Sequence, residues 1–275
     1  MGNKITTIVL DIDGTLIPAG GKVSEEDAES LMLCRQDGIQ IYVATARPPH
    51  LVFRPGEVPE CAGFLGDSGV FYGGALARDP QVEYRRTHMV GAATVARVVR
   101  CIEDRREGAI QVVVQRPGKK HAFLRPVPES MLQGWGIDAS DVVEFGNVIQ
   151  KPCLRLTIFH TEAGKRLTGI GNQLLKIVES KARVRRSRED EWLEVLSAQA
   201  TKERAVRELM EWRHTSPETV VVFGNDKSDL GLFDACGVSV APKDASSKLR
   251  GKASYVTCNC AENAVARGLE ELNII

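Results

Sequence analysis

The chain has 275 residues, of which 43% are hydrophobic and 26% are charged, a composition typical of a soluble globular protein with a sizeable core. Thirty-six basic residues balance thirty-six acidic ones, which predicts no general attraction to nucleic acid or to an anionic membrane. No apolar run approaches the ~20 residues that cross a bilayer, and residues 1–10 do not resemble a signal peptide. Seven cysteines, an odd number, indicate reduced thiols, and we expect a cytoplasmic protein.

The first part of the chain alternates strands and helices. A β-branched apolar run at 5–10 predicts a buried strand, and a second one is predicted at 39–44. Between them, Ser24 precedes three acidic residues, which predicts a capped helix that ends near Gly38. Residues 63–74 are expected to form a short strand and a hairpin. This alternation predicts a parallel sheet with covering helices.

The middle of the chain has a different pattern, in which strands follow one another. Two helices are predicted, at 90–107 and 162–181. Residues 142–150 are ambiguous. The predicted strands are 110–115, 121–124, 153–159 and 182–188. This block is therefore expected to be an α+β domain of its own.

The last part of the chain returns to the alternating pattern. The predicted helices are 202–212, 230–235, 243–250 and 262–272, and the predicted strands are 219–223, 237–240 and 254–257. We therefore predict an α/β fold with a Rossmann-like parallel sheet core that has helices on both faces, plus an inserted α+β cap domain. The predicted boundaries are 1–82 for the first part of the core, 83–189 for the cap and 190–275 for the second part of the core.

An acidic loop, Asp11-Ile12-Asp13-Gly14-Thr15-Leu16, follows the first predicted strand. Ligands of parallel α/β sheets bind beyond the carboxyl ends of the strands, which is where this loop begins. Asp11 and Asp13 repel each other, and a divalent cation relieves that repulsion. Gly14 allows an unusual backbone turn, and Thr15 can donate to an anion. Taken alone, the loop is also compatible with an ordinary Asx turn.

This loop resembles motif one of the haloacid dehalogenase superfamily, a hydrophobic run followed by D-x-D-G-T-L. The resemblance implies that Asp11 attacks phosphorus and forms an aspartyl-phosphate, and that Asp13 is the general acid and base. The chemistry agrees, because a carboxylate can accept a phosphoryl group and an alkoxide leaving group needs a proton. Asp13 favours a phosphatase or phosphomutase over a dehalogenase or an ion-pumping ATPase, whose leaving groups need no such proton.

The second predicted strand ends Val43-Ala44-Thr45-Ala46-Arg47, which resembles motif two of the same superfamily. The resemblance implies a substrate-binding group made of Gly14 from the first loop together with Thr45, Ala46 and Arg47. The forked donors of arginine suit a phosphoryl group. Ala46 stands where the large-cap branch often has glycine. Without the other motifs, this segment is compatible with an ordinary strand end and a surface arginine.

Lys202 begins a predicted helix after Thr201, a good helix cap, and resembles motif three. The resemblance implies that its charge offsets that of Asp11 and the phosphate, which makes Lys202 the third catalytic candidate with Asp11 and Asp13. Glu194, in Leu193-Glu194-Val195, resembles the "l-E-i" that leads into this motif. The alternative is a solvated lysine on a helical face.

The strand predicted at 219–223 leads into Gly224-Asn225-Asp226-Lys227-Ser228-Asp229, which resembles motif four, G-D-x-x-N-D. Asn225 replaces the first Asp and Ser228 replaces the Asn, so we expect an altered and weaker metal site. An amide oxygen can still bind Mg²⁺, but without charge. Whether Asn225 or Asp226 binds the metal stays open. The candidate Mg²⁺ ligands are Asp11, Asp13, Asn225, Asp226 and Asp229.

The motifs occur in the order of the Cof-type branch, with a cap between motifs two and three. They predict an Mg²⁺-dependent phosphomonoester hydrolase that acts on a small phosphorylated metabolite, such as a sugar phosphate, as a monomer or a homodimer. The alternatives are a phosphomutase and a catalytically degenerate protein that binds a phosphorylated ligand. The basic run 183–188 suits either a phosphate-rich substrate that meets the cap or, as we favour, a solvated strand face balanced by three acids at 189–191.

Overall fold

A computed structural model describes residues 4–187 and 189–275 of the chain. It divides into two compact units, one that runs to Arg86 and resumes at Thr201, and a second that comprises Thr87–Ala200. In the described part of the chain, no helix combines the length and the apolar character that crossing a membrane requires. Arg188, the last residue of one predicted strand, lies outside the described residues.

The described residues contain thirteen strands and eight α-helices. The strands are β1 (Thr7–Leu10), β2 (Gln40–Ala44), β3 (Gly69–Phe71), β4 (Leu76–Asp79), β5 (Tyr84–Thr87), β6 (Ile110–Gln115), β7 (His121–Phe123), β8 (Arg155–His160), β9 (Ala182–Arg186), β10 (Trp192–Ser197), β11 (Val220–Phe223), β12 (Val238–Ala241) and β13 (Tyr255–Val256). The helices are α1 (Glu25–Gln36), α2 (Ala92–Glu103), α3 (Glu129–Gly134), α4 (Thr168–Val178), α5 (Lys202–Trp212), α6 (Leu230–Ala235), α7 (Ser247–Arg250) and α8 (Ala264–Glu271).

The first unit is built on an eight-stranded sheet in the order β13-β12-β11-β1-β2-β3-β4-β5. The pairings from β13 to β3 are parallel, and β4 runs antiparallel to β3. Every residue of β1 and β11 is buried, as expected for central parallel strands that are covered on both faces. Because β1 and β11 are neighbours, the loops that follow them leave the same edge of the sheet.

Helices cover both faces of this sheet. On one face, Leu209 of α5 and Leu232 of α6 share a buried cluster with Val9 and Val222. On the other face, α1 contacts α8, whose Gly268 lies against Phe223, the residue that follows Val222 and points the opposite way. The predicted α/β core with helices on both faces is confirmed.

A buried carboxylate connects distant segments of the first unit. Asp79 is fully buried, and its Oδ2 accepts hydrogen bonds from Tyr42 Oη at 2.7 Å and from Arg213 Nη2 at 2.6 Å. Its Oδ1 accepts from the Gln81 amide at 3.0 Å. Burial opposes ionisation, but the Tyr42 and Arg213 donors outweigh it, so the pKa of Asp79 lies below its ordinary value.

We expect Asp79→Asn to lower the free energy of unfolding by about 2–3 kcal/mol at pH 7, because Arg213 and Tyr42 lose a charged acceptor. A lowered pKa in the folded state contributes stability above the unfolded pKa of about 3.9, and the contribution is lost as the pH falls through the folded value. Urea unfolding at pH 7 and at pH 3 measures both effects. Asp67→Asn, at an exposed carboxylate, is the control. If Asp79→Asn lowered the free energy of unfolding equally at pH 7 and at pH 3, the ionic role of Asp79 would be contradicted.

The second unit is a five-stranded antiparallel sheet in the order β7-β6-β8-β10-β9. On one face, Val98 of α2 and Leu174 of α4 share a buried cluster with Val112 and Ile158 of the sheet. On the other face, Leu132 of α3 and its neighbours cover the side formed by β6 and β7. The predicted α+β cap is therefore an antiparallel sheet with two helices on one face and a short one on the other.

The unit boundaries differ from those drawn on the sequence. The second unit ends at Ala200, whereas the sequence placed the boundary after 189. The reason is β10, which pairs with both β8 and β9 and so belongs to the antiparallel sheet. The sequence analysis did not predict this strand. Leu193-Glu194-Val195 resembles the segment that leads into motif three, and residues 190–200 were therefore assigned to the core.

Four predicted helices are shorter in the structure, among them 90–107, which is α2, and 262–272, which is α8. The helix predicted at 162–181 is α4, which begins only at Thr168. Gly164 has a φ of 72°, a conformation that a right-handed helix does not contain, so the helix begins after this residue. The helix predicted at 243–250 is reduced to the single turn α7. These differences lie at helix ends, where short-range patterns specify the bounds weakly.

Candidate active site

Lys202 joins two loops at the carboxyl edge of the parallel sheet. Its Nζ donates to Asp11 Oδ1 at 2.6 Å and to Asp229 Oδ1 at 2.8 Å. All three side chains are buried, with residue exposures of 4% for Lys202, 6% for Asp11 and 0% for Asp229. Lys202 is the first residue of α5, and the Thr201 hydroxyl caps that helix by accepting from the Arg204 amide at 3.2 Å. Residues 191 positions apart in the chain thus form one charged cluster.

Asp11 follows β1, and its amide donates to the Phe223 carbonyl at the end of β11, at 3.0 Å. Burial raises the pKa of Asp11 to about 7; the charge of Lys202 opposes that rise and the charge of Asp229 adds to it. For Lys202, burial favours the neutral amine, but the two carboxylates outweigh it and its pKa lies above the ordinary value. Lys202 is therefore a permanent cation, and Asp11 is the group whose charge depends on what binds beside it.

Asp229 organises the loop that follows β11. Its Oδ2 accepts from the amides of Asn225 and Asp226, both at 3.2 Å, while its Oδ1 faces Lys202. Asp226 is exposed and its side chain caps the same turn. A side chain at Gly224 would lie within 2.8 Å of the Asp229 carboxyl carbon, so glycine is required there. Asp229 thus holds the loop in shape and fixes Lys202.

Gly14 and Asn225 bring the first and fourth motif loops into contact. Gly14 has a φ of +80°, and a Cβ at this position would lie 1.9 Å from Asn225 Nδ2. The backbone conformation therefore favours glycine, and a side chain at this position would displace the Asn225 amide. The Asn225 carbonyl accepts from the Ser246 amide at 3.0 Å, which anchors the loop from behind.

Asp13 is turned toward Arg47. Arg47 Nη2 donates to Asp13 Oδ1 at 2.6 Å, and Arg47 Nε lies within 3.2 Å of both Asp13 oxygens. The Asp13 side chain is 60% exposed. On its other side, Arg47 Nη1 donates to Glu57 Oε2 at 2.6 Å and to the Val52 carbonyl at 2.9 Å. Arg47, expected to contact phosphate, is thus held between two carboxylates.

Thr45 leaves β2 beside Asp11, because Leu10 and Val43 are paired in register on neighbouring strands. Thr45 is fully buried, and its hydroxyl accepts from the Arg47 amide at 3.1 Å. Ala46 is half-buried between them. Thr45, Ala46 and Arg47 therefore form one turn at the edge of the sheet that also carries Asp11.

The charges and donors of this edge fit a divalent cation. Asp11 and Asp229 are two buried carboxyl groups beside the single positive charge of Lys202, and the candidate metal ligands Asp11, Asp229 and Asn225 all offer side-chain oxygens. Within residues 4–187 and 189–275, no group of three His, Cys, Asp or Glu side chains is placed to hold a metal. Mg²⁺ is commonly bound through one or two carboxylates together with water and phosphate oxygens, so a three-carboxylate cage is not required.

Glu57 and Gly74 belong to this region, but sequence reasoning missed both. Glu57 binds Arg47 from a loop without any motif, and no pattern in the sequence indicates it. A Cβ at Gly74 would lie 2.3 Å from the Thr201 carbonyl, so Gly74 leaves room for the start of α5. A glycine doublet at 73–74 is a visible signal, but its partner is 127 positions away.

The family described as haloacid dehalogenase-like hydrolase matches residues 8–269 of the chain. A putative phosphatase from Bacillus subtilis, YxeH, is 23% identical over 96% of this chain and 97% of its own length. A putative bifunctional phosphatase/peptidyl-prolyl cis-trans isomerase from Streptococcus pyogenes is 33% identical over 75 residues, which are 27% of this chain. That match spans only 16% of the length of the S. pyogenes protein.

Among solved structures, the subclass IIB sugar phosphatase BT4131 is similar to this chain, with a TM-score of 0.78. The two are 18% identical, and the similarity covers 99% of this chain and all of BT4131. At that identity, the likeness shows a shared fold. It covers the parallel core and the inserted antiparallel unit alike.

Proposed function

Because this chain belongs to the haloacid dehalogenase-like hydrolase family, we propose that it is a phosphatase that transfers a phosphoryl group to Asp11 and then to water. The observation that carries this proposal is the buried contact of Lys202 with Asp11 and Asp229. A lysine so placed offsets the charge of a carboxylate and of an incoming phosphate on the same edge of the sheet. This is what an anionic nucleophile needs before it can approach an anionic substrate.

Asp11 is the nucleophile in this proposal. Its Oδ1 is bound by Lys202, whereas its Oδ2 has the longer contact, 3.4 Å, with the Thr15 hydroxyl. Oδ2 is therefore the oxygen that attacks phosphorus. The P–O bond to the leaving group breaks, and a phosphoryl group remains on Asp11 until water removes it.

Mg²⁺ is the metal that we propose for this site, and Asp11, Asp229 and Asn225 are the residues that would hold it. When bound, Mg²⁺ neutralises phosphate oxygens and the charge that develops on them. The buried carboxylate excess and the pKa of about 7 for Asp11 support a cation here, since a cation favours the ionised form of Asp11.

Asp13 supplies a proton to the leaving alkoxide and later removes one from the attacking water. Arg47 fixes the orientation of its carboxyl group through Nε and Nη2, and Glu57 fixes Arg47 in turn. The 60% exposure of the Asp13 side chain allows proton exchange with solvent between the two steps. The Thr45 hydroxyl, which accepts from the Arg47 amide and can still donate, contacts the phosphoryl group.

Asp13→Ala is expected to lower kcat by about 10²–10⁴-fold for an alkyl phosphate, because its alkoxide leaves poorly without a proton. With p-nitrophenyl phosphate, whose leaving group needs no proton, the loss should be much smaller. Steady-state rates on the two esters measure the difference. A variant that loses the same factor on both esters would contradict the role as general acid.

The substrate class that we propose is a small phosphorylated metabolite, such as a sugar phosphate. The support is the fold shared with BT4131, itself a sugar phosphatase. The test is release of inorganic phosphate from a panel of phosphorylated metabolites, with Mg²⁺ and with a chelator. A phosphomutase would instead retain the phosphoryl group and require a bisphosphate, and a protein without turnover at any divalent metal would disprove the proposal.

A further inference from the structure

Arg47 uses most of its hydrogen-bond donors on partners within the first unit. A guanidinium has five N–H groups, which form a rigid fork. Nε and one N–H of Nη2 are directed to Asp13, and Nη1 donates both to Glu57 Oε2 and to the Val52 carbonyl. At most one N–H of Nη2 is left over. Arg47 therefore cannot offer a forked pair of donors to a phosphate while these contacts are kept.

The charge of Arg47 is also shared between two carboxylates. Glu57 Oε2 lies 2.6 Å from Nη1 of the guanidinium, and Asp13 Oδ1 lies 2.6 Å from Nη2. When both carboxylates are ionised, the three side chains together have a formal charge of −1. This group as a whole therefore does not attract an incoming phosphate. The position of Arg47 suits a residue that orients Asp13 better than it suits one that binds the substrate.

Glu57 is placed by the turn that presents it. Its amide donates to the Arg54 carbonyl at 3.0 Å, which closes a turn around Pro55 and Gly56. Gly56 has a φ of +80°, and proline followed by such a glycine is the pair that a type II turn favours at its centre. Glu57 Oε2 also accepts from the Arg54 amide at 2.8 Å, and the Glu57 carbonyl accepts from the Val23 amide at 2.8 Å. The local backbone thus fixes Glu57 independently of Arg47.

Glu57 presents an ionised carboxylate to Arg47, partly shielded from water. The Glu57 side chain is 14% exposed and that of Arg47 is 17% exposed. Burial raises the pKa of Glu57, but the Arg54 amide and the Arg47 guanidinium outweigh it, so this pKa lies below its ordinary value. Hydrogen bonds between two charged groups are stronger than neutral ones, and shielding from water strengthens them further. The contact with Glu57 can therefore set the direction of the Arg47 guanidinium.

We propose that Glu57 is a positioning residue, which keeps Arg47 turned toward Asp13 rather than toward a phosphate. Arg47 then holds the Asp13 carboxyl group in the orientation for proton transfer, and contact with the phosphoryl group is left to side chains such as Thr45 and Lys202. This inference rests on the proposed phosphatase activity, with Asp13 as its general acid. It departs from the expectation drawn from motif two, in which Arg47 contacts the phosphate.

Glu57→Ala is expected to lower kcat about tenfold or more on the alkyl phosphate that the wild type hydrolyses fastest, because Asp13 loses its orientation. KM should change little, since no phosphate contact is lost. With p-nitrophenyl phosphate, whose leaving group needs no proton, kcat should stay within about twofold. Glu57→Gln keeps the size of the side chain and an oxygen that accepts from Arg47, so it should retain part of the lost rate. Steady-state kinetics on both esters measure these effects.

Glu60→Ala is the matched control, because Glu60 is an exposed carboxylate three residues after Glu57, and it should change neither rate. The double variant Asp13→Ala/Glu57→Ala tests the route of the effect. On the alkyl phosphate it should be no slower than Asp13→Ala alone, because the residue that Glu57 positions is already gone.

The results separate this inference from the proposed function. The inference alone is overturned if Asp13→Ala spares the aryl ester as expected, while Glu57→Ala and Glu57→Gln leave the alkyl phosphate rate unchanged, slow both esters alike or raise KM for both. Additive losses in the double variant would overturn it as well. If Asp13→Ala slows both esters alike, or the wild type releases no phosphate, the proposed function fails and this inference fails with it.

Discussion

Asp11→Asn is expected to reduce phosphate release by more than about 10⁴-fold while the chain stays folded, because the amide cannot accept a phosphoryl group. The fold should survive, since Lys202 keeps Asp229 as its partner. Burial raises the pKa of Asp11 to about 7, which means that ionising Asp11 costs stability as the pH rises through that value. In the absence of metal at pH 8, the variant should therefore be no less stable than the wild type.

Steady-state phosphate release with Mg²⁺ measures the loss, and thermal unfolding with a chelator measures the fold. When wild-type protein reacts with substrate and is quenched rapidly, the peptide that contains Asp11 should carry one phosphoryl group. Asp37→Asn, at an exposed carboxylate after α1, is the matched control and should retain full activity. Full Mg²⁺-dependent activity in Asp11→Asn would end the proposal of a covalent intermediate.

Lys202→Met has the second large effect, because it removes the lysine that forms ion pairs with two buried carboxylates, Asp11 and Asp229. Leaving buried charges unpaired should lower the free energy of unfolding by about 3–5 kcal/mol. The rate should fall by about 10²–10³-fold, the usual loss when one preorganised positive donor is removed. Urea unfolding and phosphate release measure the two effects separately.

Two variants sharpen this prediction. Lys227→Met, in the turn beside Asp229, removes an exposed lysine of the same charge and should change stability little. In the double variant Asp11→Asn/Lys202→Met, one of the two unpaired carboxylates is gone, so part of the lost stability should return. Additive losses in the double variant would show that Lys202 and Asp11 are not energetically coupled.

The candidate active site lowers the stability of the folded chain in a way that its proposed chemistry requires. Buried carboxylates at Asp11 and Asp229 are unfavourable unless they are compensated, and Lys202 compensates only part of their charge. Asp79 is the contrasting case in the same unit. Hydrogen bonds from Tyr42 and Arg213 stabilise its ionised form, so its pKa is lowered. One buried aspartate thus holds the fold together, while the other is kept available for a cation and a phosphoryl group.

The sequence by itself determined the elements of the core and the order of its motifs. Apolar runs such as Val220-Val221-Val222-Phe223 can be stable only as buried strands, and the polar loops that follow them must then leave the carboxyl edge of the sheet. That physical constraint is local and places Asp11 and the loop at 224–229 at this edge, whereas Thr45, Lys202 and Asp229 were named through the resemblance of their motifs to those of a known family. The antiparallel unit was also visible as a change of pattern.

Only the tertiary structure decided which of these groups touch. Lys202 reaches Asp11 across 191 positions, and Arg47 turns to Asp13 and to Glu57, a residue that belongs to no motif. Likewise, β10 was assigned to the antiparallel sheet by its pairing with β8 and β9, which no short stretch of sequence encodes. Contacts of this kind depend on strand order and on the register between distant segments, and sequence patterns specify neither.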